Sequence, residues 1–188
     1  MVICDRQGDE LLLSLTPEGV RFLREQWSWL RELVRWQLSC CTEDPLSQLT
    51  GLPVPTGAID GRLAYVVDYW CGTEENGPVR KVWEGWVLHD LEHSLTRVLG
   101  TLPRHGGVVQ LPGQGYQVAA EWGWMLETLH VVLDVSGRVS TQGAPERMLP
   151  PAPSVQETDS YRRSLRWLEM VLDALAQAGQ STPASTSE

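Results

Sequence analysis

The sequence predicts a mainly α domain of the α+β class, in which four helices pack with a small antiparallel β-sheet from an N-terminal hairpin and one later strand. Apolar residues recur at intervals of three and four over four long stretches, which is typical of helices that bury one face. Two short apolar runs flank a glycine-containing turn near the N-terminus, which is typical of a hairpin. Hydrophobic residues make up 42% of the 188 residues, which is enough for a core.

The N-terminal segment is predicted to form the hairpin and then a long helix. The runs VICD and ELLLSL supply the strands, and RQGD connects them. Thr16 is a good N-cap, and Pro17 suits the first helical position because the N–H that proline lacks would have no partner there. The helix is predicted from Pro17 to Ser39. Its apolar stripe contains Val20, Leu23, Trp27, Leu30 and Val34.

Five further elements follow a loop that is rich in proline and glycine. Residues 62–70 fit either a helix or a strand, and we favour the helix. The others are long helices at about 78–99, 116–133 and 160–178, and a strand at 108–111 that could join the hairpin. The apolar positions of the helix at 78–99 include Trp83, Trp86, Leu91 and Leu95.

The prolines at 145, 150, 151 and 153 predict a loop over residues 136–158. Residues 1–178 are therefore predicted to form a single mainly helical domain. The polar residues 179–188 are predicted to be a disordered tail, because they offer little apolar surface to bury.

Charge and composition disfavour several classes of protein. The net charge of −9 argues against direct nucleic-acid binding, which normally needs a basic surface. No run of 18 apolar residues is present, so we expect no membrane span. The first ten residues lack the regions of a signal peptide, and four cysteines do not suggest a disulfide scaffold. We therefore expect a cytoplasmic protein.

The predicted first helix carries more apolar surface than one small core usually covers. Either other helices cover it on both sides, or Trp29 and Trp36 belong to a surface that binds a protein partner or a second copy. Arg24, Arg31 and Arg35 share one face of this helix. They could contact an acidic partner, or they could form a solvated face paired with glutamates of the same helix.

The string from His89 to His93 matches the pattern H-x-x-E-H, in which two histidines one turn apart can share a metal. The histidines lie opposite Leu91, so we expect them to be exposed. A catalytic zinc also needs a third ligand and a cavity, and the sequence shows no evident candidate for either. We expect no bound metal and no cofactor. A metal-dependent hydrolase that uses His89, Glu92 and His93 stays an alternative.

Cys40 and Cys41 follow the first helix directly. Adjacent cysteines rarely bridge each other, and no C-x-x-C motif is present. The favoured interpretation is that the cysteines are small, buried packing residues. The alternative is a thiol redox sensor at Cys40 or Cys41, with a disulfide to Cys4 or Cys71.

Three segments resemble a small actinobacterial family that is mostly described as a domain of unknown function. They are LTPEGVRFLREQWSWLRELV, DLEHSLTRVLGTLPRHGGVVQL and, after the next helix, YRRSLRWLEMVLDAL. One branch of the family is described as an oxidative-stress-responsive transcriptional regulator that works with an extracytoplasmic-type sigma factor through a C-x-x-x-C disulfide. This chain has no C-x-x-x-C, so the redox switch is not carried over to any residue.

The sequence and the resemblance together favour a non-enzymatic cytosolic regulatory protein that acts through protein–protein contacts, with a role in transcription or stress response as one form of it. The residues expected to carry the contacts are those of the first helix. The alternatives are the metal-dependent hydrolase and the thiol redox sensor described above.

Overall fold

The described part of the chain contains five helices and a three-stranded antiparallel sheet, which confirms the predicted mainly α, α+β fold. The structure is a computed structural model that describes residues 3–7, 10–40, 51, 58–71, 78–112, 117–136 and 166–177. The strands are β1 (Ile3–Gln7), β2 (Glu10–Leu15) and β3 (Gly107–Pro112). The helices are α1 (Pro17–Ser39), α2 (Gly61–Cys71), α3 (Pro78–Thr101), α4 (Gln117–Ser136) and α5 (residues 166–177).

The predicted hairpin and the later strand form one sheet in the order β1-β2-β3. In the middle of the β2–β3 pair, Leu13 lies opposite Val109. Alternate side chains of a strand point to opposite faces, so one face of this pair buries Leu13, Leu15, Val109 and Leu111. These residues join the same apolar core as the helices.

Helix α1 begins and ends where the sequence predicts. The Thr16 hydroxyl accepts a hydrogen bond from the N–H of Gly19 at 3.2 Å, and Pro17 occupies the first turn. At the other end, the N–H of Cys40 donates to the carbonyl oxygens of Trp36 and Gln37. Local cap signals therefore determine both ends of the helix.

The core is built around α1. Leu23, Trp27, Leu30 and Leu33 have no exposed surface. The indole N–H of Trp27 donates to the backbone oxygen of Met125 at 3.3 Å. Its ring meets that of Trp122 edge-to-face at a centroid distance of 5.1 Å. This buried contact joins the middle of α1 to the first half of α4.

Two glycines allow close packing at the N-terminus of α1. A Cβ on Gly19 would lie 2.8 Å from the ring of Trp167, so the missing side chain lets α5 approach α1. Gly106 has a φ of +91°, and a Cβ there would lie 2.9 Å from the backbone nitrogen of Pro17. The turn before β3 therefore packs directly against the start of α1.

The later elements follow the predicted order with small differences in their ends. Residues 62–70 are helical within α2, as favoured. Helix α4 continues past residue 133, and Val135 is buried, so its last turn contributes to the core. The predicted loop at 136–158 and the predicted tail at 179–188 lie outside the described residues apart from Ser136, which belongs to α4. Within the described residues, none of the helices combines the length and apolar content needed to cross a membrane.

Candidate functional site

An open groove lies where the C-terminal end of α2 meets α3 and α4. Its volume is about 470 Å³. We call it the aromatic groove, because four of its seven lining residues are tryptophans. The lining residues are Trp70, Cys71, Trp83, Trp86, Val87, Asp90 and Trp124.

One wall of the aromatic groove comes from a single flank of α3. Trp83, Trp86, Val87 and Asp90 are spaced by three, one and three residues, so they project from neighbouring positions on the helix surface. Trp83 is 45% exposed and Trp86 is 47% exposed. Their rings meet edge-to-face, with centroids 5.5 Å apart and an interplanar angle of 90°. The two indoles therefore present surfaces at right angles to each other.

The opposite wall comes from α2 and α4 and is held by hydrogen bonds. The indole N–H of Trp70 donates to the hydroxyl of the buried Thr128 at 3.3 Å. Its ring meets Trp124 edge-to-face at 5.8 Å and Tyr69 at 5.0 Å. Tyr69 in turn donates its hydroxyl proton to the carboxylate of Glu127, and this hydrogen bond raises the tyrosine pKa. Trp70 is thus fixed from several sides although it is 37% exposed.

The charges next to the groove are mostly paired. Arg80 binds the carboxylates of Asp68 and Glu84, and the hydrogen bond to Asp68 is the main reason for its raised pKa. The thiol of Cys71 has a raised pKa, chiefly because burial disfavours the thiolate. Among the residues that the structure describes, Asp90 is the charged one that lines the groove.

The sequence placed the interaction surface on α1, and the structure places its tryptophans against the core instead. Trp29 and Trp36 are only partly exposed and pack on the buried cluster. The guanidinium of Arg62 lies over the ring of Trp29, 5.3 Å from the centroid. The large exposed apolar side chains of the described residues lie on other elements, so these residues show no exposed apolar patch on α1. That Trp29 and Trp36 bind a protein partner stays a prediction.

The sequence suggested that three arginines of α1 could contact a protein partner. Two of the three are bound to other residues of this chain. Arg24 donates to the carbonyl oxygen of Pro103 at 2.8 Å, at the end of α3. Arg35 binds Glu92 of α3 at 2.8 Å and lies 3.7 Å from Glu32 of its own helix. The Nε of Arg31 is buried and has no hydrogen-bond partner among the described residues. These arginines mainly join α1 to α3, as Arg24 and Arg35 show.

His89 and His93 are exposed on α3, as the sequence predicts. Their rings lie 4.3 Å apart, and Nδ1 of His93 is 2.9 Å from the backbone oxygen of His89. Burial alone would raise the pKa of Glu92, but the hydrogen bond and charge of Arg35 lower it below its ordinary value. Within the described residues, no three His, Cys, Asp or Glu side chains are placed to hold a metal ion.

The prediction that the cysteines are buried packing residues is wrong for the two cysteine side chains that the structure describes. Cys40 and Cys71 are both exposed, and each lies at the C-terminal end of a helix. Cys41 and the side chain of Cys4 lie outside the described residues. Cys71 contributes to the aromatic groove, a position that its place in the sequence did not indicate.

A buried ion pair at the start of α2 was not predicted. Asp60 and Arg62 have no exposed surface and are joined by hydrogen bonds of 2.8 and 2.9 Å. Asp60 also accepts from the backbone N–H of Arg62 at 3.0 Å, as an N-cap does. Its own N–H donates to the side chain of Gln37 on α1. An arginine among small and apolar residues at the start of a helix, two residues after an aspartate, was the available signal.

No protein-family model, curated protein or solved structure matches the chain. The resemblance to the actinobacterial family therefore stays a prediction.

Proposed function

We propose that the protein is a non-enzymatic cytosolic regulatory protein, and that the aromatic groove is the surface through which it contacts a protein partner. The observation that carries the proposal is the exposure of Trp70, Trp83 and Trp86 around one open groove. Adjacent Tyr65 and Tyr69 of α2 are each 49% exposed. Clusters of exposed aromatic side chains are typical of protein-binding sites.

The arrangement of the groove favours binding because part of it is already ordered. Trp70 is held by Thr128 and by the ring of Trp124. A side chain that is fixed before binding loses little conformational entropy when a partner arrives. Large aromatic residues in such positions often dominate the energy of an interface.

The structural features favour this function over the metal-dependent hydrolase. Glu92, which the H-x-x-E-H motif would use, is bound to Arg35 and accepts from Thr96. The two histidines are exposed and do not line the aromatic groove. Within the described residues, the motif therefore lies outside the aromatic groove, and its carboxylate is already bound to Arg35.

The thiol redox sensor is also disfavoured at the cysteine that lies in the groove. The raised pKa of Cys71 reduces the fraction of thiolate at neutral pH, and the thiolate is the reactive form. Regulation through contacts at the groove needs no such reaction. A role in transcription or stress response belongs to this proposal as the setting that the family resemblance implies.

Site-specific photo-cross-linking in the cells that make the protein tests this proposal. A photoreactive amino acid replaces Trp83 or Trp86, and a matched control replaces Met170, which is 55% exposed on α5. We expect a discrete protein adduct from the two groove positions and none from position 170, with the partner identified by mass spectrometry. Equal labelling from all three positions, or no adduct from the groove, would contradict the proposal. An adduct with a second copy would show self-association at the same surface.

A further inference from the structure

We propose that the aromatic groove receives an arginine side chain from a basic segment of a protein partner. The guanidinium would stack on an indole face and bind the carboxylate of Asp90. This inference rests on the proposed function, because it names the chemistry of the partner at the same surface. Three features of the described residues support it.

The first feature is the carboxylate in the groove. Asp90 lines the groove, and its side chain has no hydrogen bond or ion pair with any residue that the structure describes. Arg97, two turns further along α3, attracts Asp90 electrostatically, but its guanidinium is bound to Glu121. The other two carboxylates near the α2–α3 wall, on Asp68 and Glu84, share Arg80. Within the described residues, the groove therefore offers the carboxylate of Asp90, which can pair with an incoming cation.

The second feature is the orientation of the tryptophans. The pair Trp83 and Trp86 and the pair Trp70 and Trp124 each meet at close to a right angle. Perpendicular rings present indole faces in more than one direction. The face of an indole attracts a cation, and tryptophan is the strongest aromatic residue in this respect. Trp86 and Asp90 are four residues apart on α3 and both line the groove, so a single cation in the groove can contact both.

The third feature is a filled site of the same chemistry elsewhere in this chain. Arg62 lies over the ring of Trp29 and binds both carboxylate oxygens of Asp60. An aspartate, a tryptophan and an arginine thus form a complete set in the core. The aromatic groove contains the aspartate and the tryptophans but has no arginine among its lining residues.

Arginine fits the groove better than other side chains for physical reasons. Its planar guanidinium stacks on aromatic rings while its N–H groups bind a carboxylate. A trimethylated ammonium has no N–H to donate to Asp90, and an apolar side chain would leave that carboxylate desolvated without a partner. The net charge of −9 disfavours a second copy of this acidic chain and favours a basic partner.

Binding of blocked pentapeptides, followed by NMR of the indole N–H groups, tests the inference on the full chain. The probes have the sequence Ala-Ala-X-Ala-Ala, where X is arginine, the neutral isostere citrulline, or trimethyllysine. We expect the arginine peptide to shift the indole signals of Trp83 and Trp86 at millimolar concentration. The citrulline peptide should bind about tenfold more weakly, because it has a similar shape without the charge.

Asp90→Asn separates the carboxylate from the aromatic walls. It should weaken binding of the arginine peptide about tenfold, since it removes the charge-assisted hydrogen bonds. Asp173→Asn, which makes the same charge change at an exposed position on α5, should leave the affinity unchanged. Far-UV circular dichroism checks that both variants are folded.

Several results would overturn the inference. The citrulline peptide could bind as tightly as the arginine peptide, or the trimethyllysine peptide could bind more tightly than the arginine peptide. Asp90→Asn could leave the affinity for the arginine peptide unchanged. The arginine peptide could also fail to shift the indole signals at a concentration of about 10 mM. The proposed function would still stand after any of these binding results if cross-linking from position 86 identified a protein partner. Loss of both the cross-link and the peptide shifts would remove the groove as a docking surface.

Discussion

Replacing Asp60 by asparagine should destabilise the protein far more than a surface change of the same kind. Asparagine keeps the N-cap, because its amide oxygen can still accept the N–H of Arg62. The substitution removes only the negative charge, which leaves the buried guanidinium of Arg62 without its counter-charge. Neither side chain has any exposed surface, so solvent screening does not reduce the effect. Breaking such a pair costs about 3–5 kcal/mol.

That loss is a large part of the stability of a domain of this size, which is about 5–15 kcal/mol. The midpoint of thermal unfolding should fall by about 6–20 °C, at about 2–4 °C per kcal/mol. Urea denaturation followed by circular dichroism gives the free energy of unfolding for Asp60→Asn and for the double variant Asp60→Asn/Arg62→Met. The double variant should recover much of the loss, because it removes both charges. A loss below about 1 kcal/mol for Asp60→Asn would refute the premise that the pair is buried.

Three further predictions concern the core, the α1–α3 contact and the thiol in the groove. Trp27→Ala should cost about 3–5 kcal/mol of unfolding free energy, whereas Trp86→Ala should cost about 1 kcal/mol or less; similar urea midpoints for the two would contradict their assigned burial. The lowered pKa of Glu92 gives stability that is present above its unfolded-state value of about 4.5 and is lost as the pH falls through its folded-state value; NMR titration should show this pKa rising in Arg35→Met. Alkylation of Cys71 by iodoacetamide at pH 7.5 should be slower in the folded protein than in urea, since its thiol pKa is raised; a faster folded-state reaction would restore the redox-sensor alternative.

The elements could be predicted because their signals are local. Thr16 and Pro17 specify where α1 begins, and the spacing of its apolar residues specifies the face that is buried. The sequence suggested that a strand at 108–111 could join the hairpin, whereas the register of that pairing depends on contacts between distant segments.

The aromatic groove could not be predicted in the same way. The sequence shows Trp83 and Trp86 only as apolar positions of their helix, whereas the buried face is defined by Leu88, Leu91 and Leu95. A tryptophan at the edge of an apolar stripe fits a core or a surface equally well in sequence. The distinction depends on which helices lie beside α3, and this is a property of the tertiary packing.

Tertiary packing also decides whether the apolar surface of α1 is buried or exposed. Its wide apolar surface was compatible with a central helix or an interface, and only the positions of the other elements separate the two. Trp29 shows why, since its partner Arg62 belongs to a different helix. Arg24 and Arg35 bind residues on or just beyond α3. These residues are far from α1 in the sequence, so no local sequence pattern indicates the contacts.

The central position of α1 has a consequence for the synthesis of the protein. The indole N–H of Trp27 donates a hydrogen bond to the backbone oxygen of Met125, which is 98 residues further along the chain. At about 5–20 residues per second, a ribosome takes about 5–20 s to add that stretch. The apolar stripe of α1 is made first, and it stays uncovered until α3 and then α4 have been made. The nascent chain therefore presents Leu23, Trp27 and Leu30 to any chaperone at the ribosome, and its yield in cells should depend on that supply.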